Sequence, residues 1–394
     1  MTRNVRLYPV YKFLSSLIFW QAAWFLYIQS ELSAAEAILM YAIYDVATTA
    51  LEVPSGWLSD NWGRRRTLIV AAAAAVATAT MQALGGDFWW FAAAQVLLGI
   101  HAAFASGTDS SLLYESLAAE GRADEIERHE LRGWRASFAG LMISALAGGA
   151  IARFDLGWPY WASALAFAAL LGVSLAFRDA PPARTTAAAR LSTLRVSLTT
   201  PVLAWLFALT VCMYAFSHVP FVFGQPFIEA ALAGTAFASE TPVIVGAITA
   251  AMMGVSLLVS LAAPTIRARI GLTAMLLAAF ALQIALPGAL ALATGPLAIL
   301  FLLSRMIPDA LARPFILARI QPLLSNDSRA TYLSLQSLLG RLFFAATLWL
   351  AATSTTNVGE MPASDLRTIL SAYAVAGLIA LVTLGLLTRR VSID

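Results

Sequence analysis

The stretch Glu52-Val53-Pro54-Ser55-Gly56-Trp57-Leu58-Ser59-Asp60-Asn61-Trp62-Gly63-Arg64-Arg65-Arg66 decides how this chain is read. It lies between two long apolar runs. The run before it carries Pro54 and Gly56 at its end, and the run after it begins with three arginines. Asp60 and Arg64 stand four residues apart around Gly63, so a tight turn makes a short charged clasp. Two apolar runs joined by so short a charged turn fit two membrane-spanning helices that meet at one water surface.

Composition agrees. The chain is 60% hydrophobic and 12% charged, against roughly 25% charged for a soluble domain. A soluble protein this apolar could not cover its own surface. Its 394 residues leave room for about twelve spans of roughly 20 residues with short loops. The runs are too long for barrel strands, so the spans are helices. The net charge is +3 with the arginines spread over loops, and no basic, aromatic face of the kind that binds nucleic acid is seen. Cys212 is the single cysteine, which excludes disulfides within the chain and Cys-rich metal sites. No small-residue cleavage site follows a short apolar core at the N-terminus, so the first apolar run is expected to stay as a helix.

Gly, Pro and charge clusters break the chain into spans over 8–30, 33–59, 66–84, 88–115, 132–151, 158–177, 199–227, 242–266, 272–293, 296–323, 329–353 and 364–388. A charged loop is expected over 118–131. Pro220, Pro308 and Pro314 can kink or break the seventh and tenth spans. Of the 25 Arg and Lys residues, 20 fall on one side of these spans, only Arg153 and Arg367 on the other, and Arg305, Arg313 and Arg341 inside spans. The positive-inside bias makes the larger side, with both termini, cytoplasmic. The segment 179–198, with Pro181, Pro182 and several arginines, is a linker. It divides the chain into a six-helix bundle over 1–178 and another over 199–394. The turn after the second span has a degenerate counterpart after the eighth, Pro264-Thr265-Ile266-Arg267-Ala268-Arg269-Ile270-Gly271, and Asp109 in the fourth span is matched by Asp309 in the tenth. Paired halves around a central site suit alternating access.

Ionisable groups in hydrocarbon cost at least about 2.5 kcal/mol, so they face protein or a cavity. The third, sixth, ninth and twelfth spans carry none in their interiors. Arg305, Asp309 and Arg313 are spaced i, i+4, i+8, one stripe on one helix face, with Arg341 at mid-depth on the eleventh span. They read either as an anion or carboxylate site, which a guanidinium fork recognises with two donors, or as a closed internal ion-pair network. Asp45, Thr49 and Glu52 share a face of the second span. Asp45, Glu52 and Asp109 are either proton carriers, since low dielectric tunes a carboxyl toward neutral pH, or static partners of an arginine or hydroxyl. His101 and His218 titrate near neutral pH or are packed polar residues. Trp20, Trp24 and Tyr27, beside Gln21, form either a wall for a flat substrate or core packing against the fifth span. Trp89, Trp90, Trp158, Tyr160 and Trp161 lie at span ends as interfacial anchors.

The spacing Gly56-x-x-x-Asp60-x-x-Gly63-Arg64-Arg65, set between two spans, closely resembles the loop between the second and third helices of the major facilitator superfamily of transporters. Ser106-Gly107-Thr108-Asp109-Ser110-Ser111-Leu112-Leu113-Tyr114-Glu115-Ser116-Leu117 and Arg329-Ala330-Thr331-Tyr332-Leu333-Ser334-Leu335 look like bacterial drug-efflux-type facilitators. The resemblance covers the whole chain and implies an all-α membrane fold of twelve helices in two pseudo-symmetric bundles. It implies that the first, fourth, seventh and tenth helices line the cavity and the charge-free third, sixth, ninth and twelfth are peripheral. It also implies that Asp60 caps the eleventh helix and pairs with nearby arginines, latching the halves when the carrier faces outward. Gly56, Asp60, Gly63, Arg64 and Glu115 are then gate residues, with Arg329 a partner. A carboxylate suits a helix N-terminus on physical grounds as well. Two departures stand out. The place of an arginine usual in proton antiporters holds Gln95, four residues before Gly99, and the fifth span reads Ser144-Ala145-Leu146-Ala147-Gly148-Gly149 without the expected proline. Any proton site is therefore expected at Asp45, Asp109 or Asp309, with Glu52 and His101 as further candidates.

The expectation is a monomeric secondary transporter of the bacterial inner membrane. It would export a small amphipathic, anionic or carboxylate-bearing molecule in exchange for protons. Substrate contacts are expected from Arg305, Arg313, Arg341, Trp24, Gln21 and His218. The alternative is proton-symport import of an anionic metabolite or siderophore. Paired metal ligands, a Ser/His/Asp arrangement and a Gly-rich phosphate loop are all missing from the sequence, so neither an enzyme nor a cofactor is expected.

Overall fold

The fold is given by a computed structural model that describes residues 2–32, 34–179, 195–232, 241–292, 301–325, 329–352, 363–391 and 393. Among the described residues the regular structure is helical. In chain order it comprises α1 (Thr2–Ser15), a 3₁₀ turn (Phe19–Ala22), α2 (Trp24–Glu31), α3 (Ala34–Trp62), α4 (Arg64–Leu84), α5 (Phe88–Ala105) and α6 (Thr108–Ala118). Next come α7 (Ile126–Ala152), α8 (Trp158–Ala176), α9 (Pro201–Leu232), α10 (Thr241–Ile270), α11 (Leu272–Leu292), α12 (Ile307–Ile320), α13 (Arg329–Ala352) and α14 (Ala363–Leu387). Eight helical segments among the described residues are long and apolar enough to cross a membrane. Large apolar side chains such as Leu165, Leu258 and Ile379 are mostly exposed on these helices. Outward apolar faces of this kind belong against lipid.

Four sequence expectations change. The first span is not one helix: α1 ends at Ser15 and the chain passes through a 3₁₀ turn before α2, so Trp20, Trp24 and Tyr27 do not form a continuous helical face. The fourth span breaks at Ser106–Gly107, where Gly107 takes φ +71° and a Cβ would meet Leu333 at 2.7 Å. Only glycine adopts that backbone cheaply. The expected loop over 118–131 is partly helix. α7 starts at Ile126 and buries Ile126, His129, Glu130 and Gly133 along one side. The tenth span does not carry its arginines on one helix, because 303–306 is a turn and α12 starts at Ile307 with Pro308 in its first turn. Proline is at ease there, where its missing N–H is not needed. Pro314, by contrast, sits inside α12 without ending it. Most of the expected linker lies outside the described residues.

The chain forms two compact units. The first is Met1–Ser197 with Glu240–Gly254 and Leu317–Leu338. Its core stacks α4 between α5 and α8 on a face of Ala71, Ala72, Ala75 and Ala79, all fully buried. Small residues let membrane helices approach closely. Gly99 of α5 shows how closely, since a Cβ there would meet Ala47 of α3 at 2.7 Å. Trp20 stacks on Tyr160 at 5.0 Å, and Tyr27 lies 4.8 Å from the same ring. The second unit is Leu198–Ser239, Val255–Ile316 and Leu339–Asp394. There α11 packs on α14, Phe216 meets Phe280 edge-on at 5.6 Å, and Trp205 donates its indole N–H to the Leu384 carbonyl at 3.0 Å.

Candidate functional site

Two groups of polar residues stand out, one in each unit. The first gathers around the turn between α3 and α4. Gly63 occupies the N-cap of α4 with φ +99°, a conformation open to glycine. The arginine run therefore starts at the first residue of α4. Asp179, just after α8, accepts the Arg65 backbone N–H at 2.7 Å and so caps this helix from outside. Burial raises the Asp179 carboxyl above its usual value, against the pull of Arg65, Arg64 and Arg66.

One turn back, Asp60 faces the start of α13. Its carboxylate accepts the backbone N–H of Ala330 at 3.2 Å, that of Thr331 at 3.0 Å and the Thr331 hydroxyl at 2.6 Å. It satisfies donors that a helix N-terminus leaves open, and its charge complements the positive end of the dipole. Arg64 bonds Asp60 on one side and Glu115 on the other, at 2.8 Å from Nη2. Glu115 also meets Arg329 Nη1 at 3.4 Å. Arg329 in turn donates to the carbonyls of Gln321 and Leu324 at 3.1 and 2.7 Å and lies 4.4 Å over the Tyr114 ring. The set Asp60, Arg64, Glu115 and Arg329 is thus an alternating, buried acid–base chain. Gly56 completes it: a Cβ there would come within 2.6 Å of Ser334 Oγ and 2.9 Å of the Ala330 carbonyl, so α3 and α13 touch backbone to backbone.

Further along α3, Glu52 is buried and accepts the Ser337 hydroxyl at 2.7 Å. Asp45 sits half-buried two turns away on the same helix. Asp109, in the first turn of α6, pairs with Lys12 at 2.8 Å. His101 is engaged by the Ala71 carbonyl at 2.9 Å and packs on Phe167. Gln21 donates its amide to the Leu141 carbonyl at 3.1 Å and to Ser144 at 2.9 Å, which ties the 3₁₀ turn to α7. Trp24 lies half-buried, 6.1 Å from the Tyr41 ring. Sequence reasoning passed over one member of this unit. Glu130 of α7 is fully buried and accepts hydroxyl groups from Tyr8, at 3.0 Å, and Ser110. Its sequence signal was the apolar spacing of Ile126 and Gly133 around it, hidden by dense charge.

The second group lies in the other unit. Asp309 is buried and pairs with Arg313 at 3.1 Å. His218 stacks on Tyr214 at 4.2 Å and bonds its carbonyl at 2.8 Å, and the Arg341 guanidinium lies 5.6 Å from the centroid of the Tyr214 ring. The charges of Arg305, Arg313 and Arg341 all reach His218. Gly340 permits this packing, since a Cβ there would meet the Tyr214 ring at 2.7 Å. The arrangement is an aromatic pair with the Arg341 guanidinium against Tyr214, within the electrostatic reach of Arg305 and Arg313, and Arg313 carries one buried carboxylate. Among the described residues no cluster of His, Cys, Asp and Glu has a metal-holding arrangement.

A family model described as Major Facilitator Superfamily matches residues 12–348. No curated protein matches the sequence. Among solved structures, the chain resembles a bacterial homologue of the iron transporter ferroportin in an outward-facing state, with TM-score 0.70 and 17% identity over 98% of this chain and 99% of that one. The human organic anion transporter MFSD10 (TETRAN) gives TM-score 0.70 and 14% identity over 97% and 99%. The nucleoside transporter NupG gives TM-score 0.63 and 15% identity over 98% and 99%. At such identities these likenesses speak for the fold alone. The family match spans most of the chain, and with it the chain belongs to the major facilitator superfamily, as a multi-pass membrane transporter and not an enzyme.

Proposed function

We propose that this transporter is a proton-coupled exporter of small amphipathic organic anions, working by alternating access. The observation that carries the reading is the clasp of Asp60 on the N-terminus of α13, with Arg64 and Arg329 sharing Glu115 behind it. Such a contact is strong when made and leaves two buried arginines and an open helix end when broken. It is the kind of two-state element on which alternation can turn. In the proposed orientation the clasp lies at the cytoplasmic surface, and it is closed in the conformation described above. The division into bundles over 1–178 and 199–394 remains our reading; the break after Ser197 is in keeping with it, while Glu240–Gly254 and Leu317–Leu338 group with the first unit.

For the substrate, the three arginines whose charges reach His218 favour an anion. Guanidiniums fork onto carboxylates, and aromatic rings receive the apolar part of such a molecule. The neighbouring fold of a human organic anion transporter is in keeping with that class, though it rests on the fold alone. Coupling would run through the buried carboxylates Glu52, Asp109 and Asp309 and the half-buried Asp45. The second reading is proton-symport import of an anionic metabolite or siderophore, which the same arginines could serve.

The test uses purified protein in liposomes under an imposed pH gradient. A panel of aromatic carboxylates, amphipathic amines, nucleosides and iron chelates is presented from either side while proton flux is recorded. Proton movement opposite to a carboxylate supports export by antiport. Movement with the compound makes import the better reading, and movement with amines alone removes the anion assignment.

A further inference from the structure

We infer that Glu130 is a proton-binding site whose occupancy governs the docking of the segment carrying Gln321 and the start of α13, through a hydrogen-bond chain running Glu130–Ser110–Gln321. The inference rests on the proton-coupled reading above and adds a residue to it that the sequence did not single out.

Glu130 is fully buried on α7 and, among the described residues, makes no ion pair. Its partners are hydroxyls. Tyr8 donates to Oε2 at 3.0 Å, and Ser110 donates to Oε1 in a short bond. Ser110 Oγ is in turn the acceptor for Gln321 Nε2 at 2.9 Å. Gln321 is fully buried just after α12, and its Oε1 has no hydrogen-bond partner. The charged and titratable groups facing this site are Tyr8 and Lys12 from α1, Asp109 from α6, and His129 beside it on α7. Lys12 is held by Asp109 at 2.8 Å, so Glu130 is left to neutral donors.

A carboxylate with neutral donors can exist in two proton states without losing a salt bridge. Bare, it accepts from Ser110, and Ser110 offers its lone pair to the Gln321 amide N–H. Protonated on Oε1, it donates to Ser110 Oγ instead. Ser110 then turns its own O–H outward, where the Gln321 amide, rotated end for end, presents its unpartnered oxygen. The chain reverses direction as the proton binds, and Gln321 is the reader of that direction. Undocking of the segment would admit water to Glu130, and water stabilises the bare carboxylate. Proton uptake and docking therefore go together, and undocking releases the proton from Glu130 to water on that side. This linkage is what delivers one proton per opening.

Hydrogen exchange of the full-length protein tests it without any substrate. The readout is protection of the amides of Ala330 and Thr331, which are held by Asp60 when the segment is docked. After correction for intrinsic exchange, protection is expected to fall about tenfold or more between about pH 5 and about pH 8. Glu130→Gln should hold it high and flat across that range, and Ser110→Ala should flatten it with Glu130 in place. Infrared titration should show a protonated carboxyl band that Glu130→Gln removes and Ser110→Ala retains. A flat wild-type profile, or full pH dependence in either variant, would overturn the inference. If proton flux in liposomes is absent yet this linkage is found, the coupling reading falls and the Glu130 site stands. If flux is present and Glu130→Gln leaves the linkage intact, the Glu130 site alone falls.

Discussion

Asp60 reaches 271 residues along the chain to hold the backbone N–H of Thr331 at 3.0 Å and its hydroxyl at 2.6 Å. A helix cap is ordinarily local. Here the cap comes from another helix, so the end of α13 is complete only while α3 stays beside it. Under the proposed mechanism, Asp60→Asn should lower transport at least about tenfold, because the asparagine keeps an acceptor but loses the charge that favours the helix end. Stability should fall by only about 1 kcal/mol, the usual worth of a cap. Parallel melting and liposome transport measurements check this; an unchanged transport rate removes Asp60 from the gate.

Glu115 presents a different case. It is the shared anion of two buried arginines, with Arg64 Nη2 at 2.8 Å and Arg329 Nη1 at 3.4 Å. Glu115→Ala should destabilise the protein by about 3–5 kcal/mol, since removing one partner leaves buried charge uncompensated. Thermal unfolding in detergent reads this. A loss below about 1 kcal/mol would mean that water replaces the carboxylate without cost.

Gly56→Ala should be costly although alanine is the better helix former. Its Cβ would overlap Ser334 Oγ and the Ala330 carbonyl, a strain of about 1–3 kcal/mol. Ser334→Ala should restore part of the loss, because it removes the hydroxyl and leaves the backbone contact. A double-mutant cycle with no coupling would contradict the close approach.

Asp179 supplies a pH prediction. Burial raises its carboxyl in the folded state, so folding is helped fully below the unfolded value and that help is lost as pH rises through the folded value. Asp179→Asn still accepts the Arg65 N–H and carries no charge. Its stability should decline less than wild type as pH rises above about 4. Equal slopes in a melting series across that range would show that the three arginines balance burial, and a wild type that gains on the variant as pH rises would show that they outweigh it.

For the arginines of the second unit, Arg341→Ala and Arg313→Ala should each weaken binding of an aromatic carboxylate about tenfold or more, the worth of one charge-assisted pair. Arg313→Ala should also cost stability by leaving Asp309 buried without its 3.1 Å partner. Titration calorimetry with benzoate-type probes and melting separate the two. Loss of stability with unchanged affinity in both variants would favour an internal ion-pair network.

Much of this was legible in the sequence because a bilayer simplifies the code. Long apolar runs must be helices, and the Gly56–Arg66 turn gave its spacing away by residue type alone. The contact of Asp60 with α13 was anticipated from the resemblance and from the preference of a carboxylate for a helix N-terminus. What failed were breaks inside apolar runs. The 3₁₀ turn at Phe19–Ala22 contains no Gly or Pro, and the break between α5 and α6 falls at Gly107, which packs against Leu333, distant in sequence. Glu130 was hidden by the opposite error. Its neighbours Arg128 and His129 read as charged loop, while three-dimensional packing placed the helix start, and the glutamate with it, inside.

The most direct measurement follows one buried atom through the cycle. Ser334 is fully buried against Gly56, so in a Cys212→Ser background a Ser334→Cys variant reports opening of the clasp. Reaction with a membrane-impermeant thiol reagent from the side bearing Asp60 should be slow but measurable, and faster by about tenfold or more once Asp60→Asn is added, an increment of about 1.4 kcal/mol in the opening equilibrium. An unreactive thiol in both backgrounds, or the same rate in each, would contradict alternating access gated by this clasp.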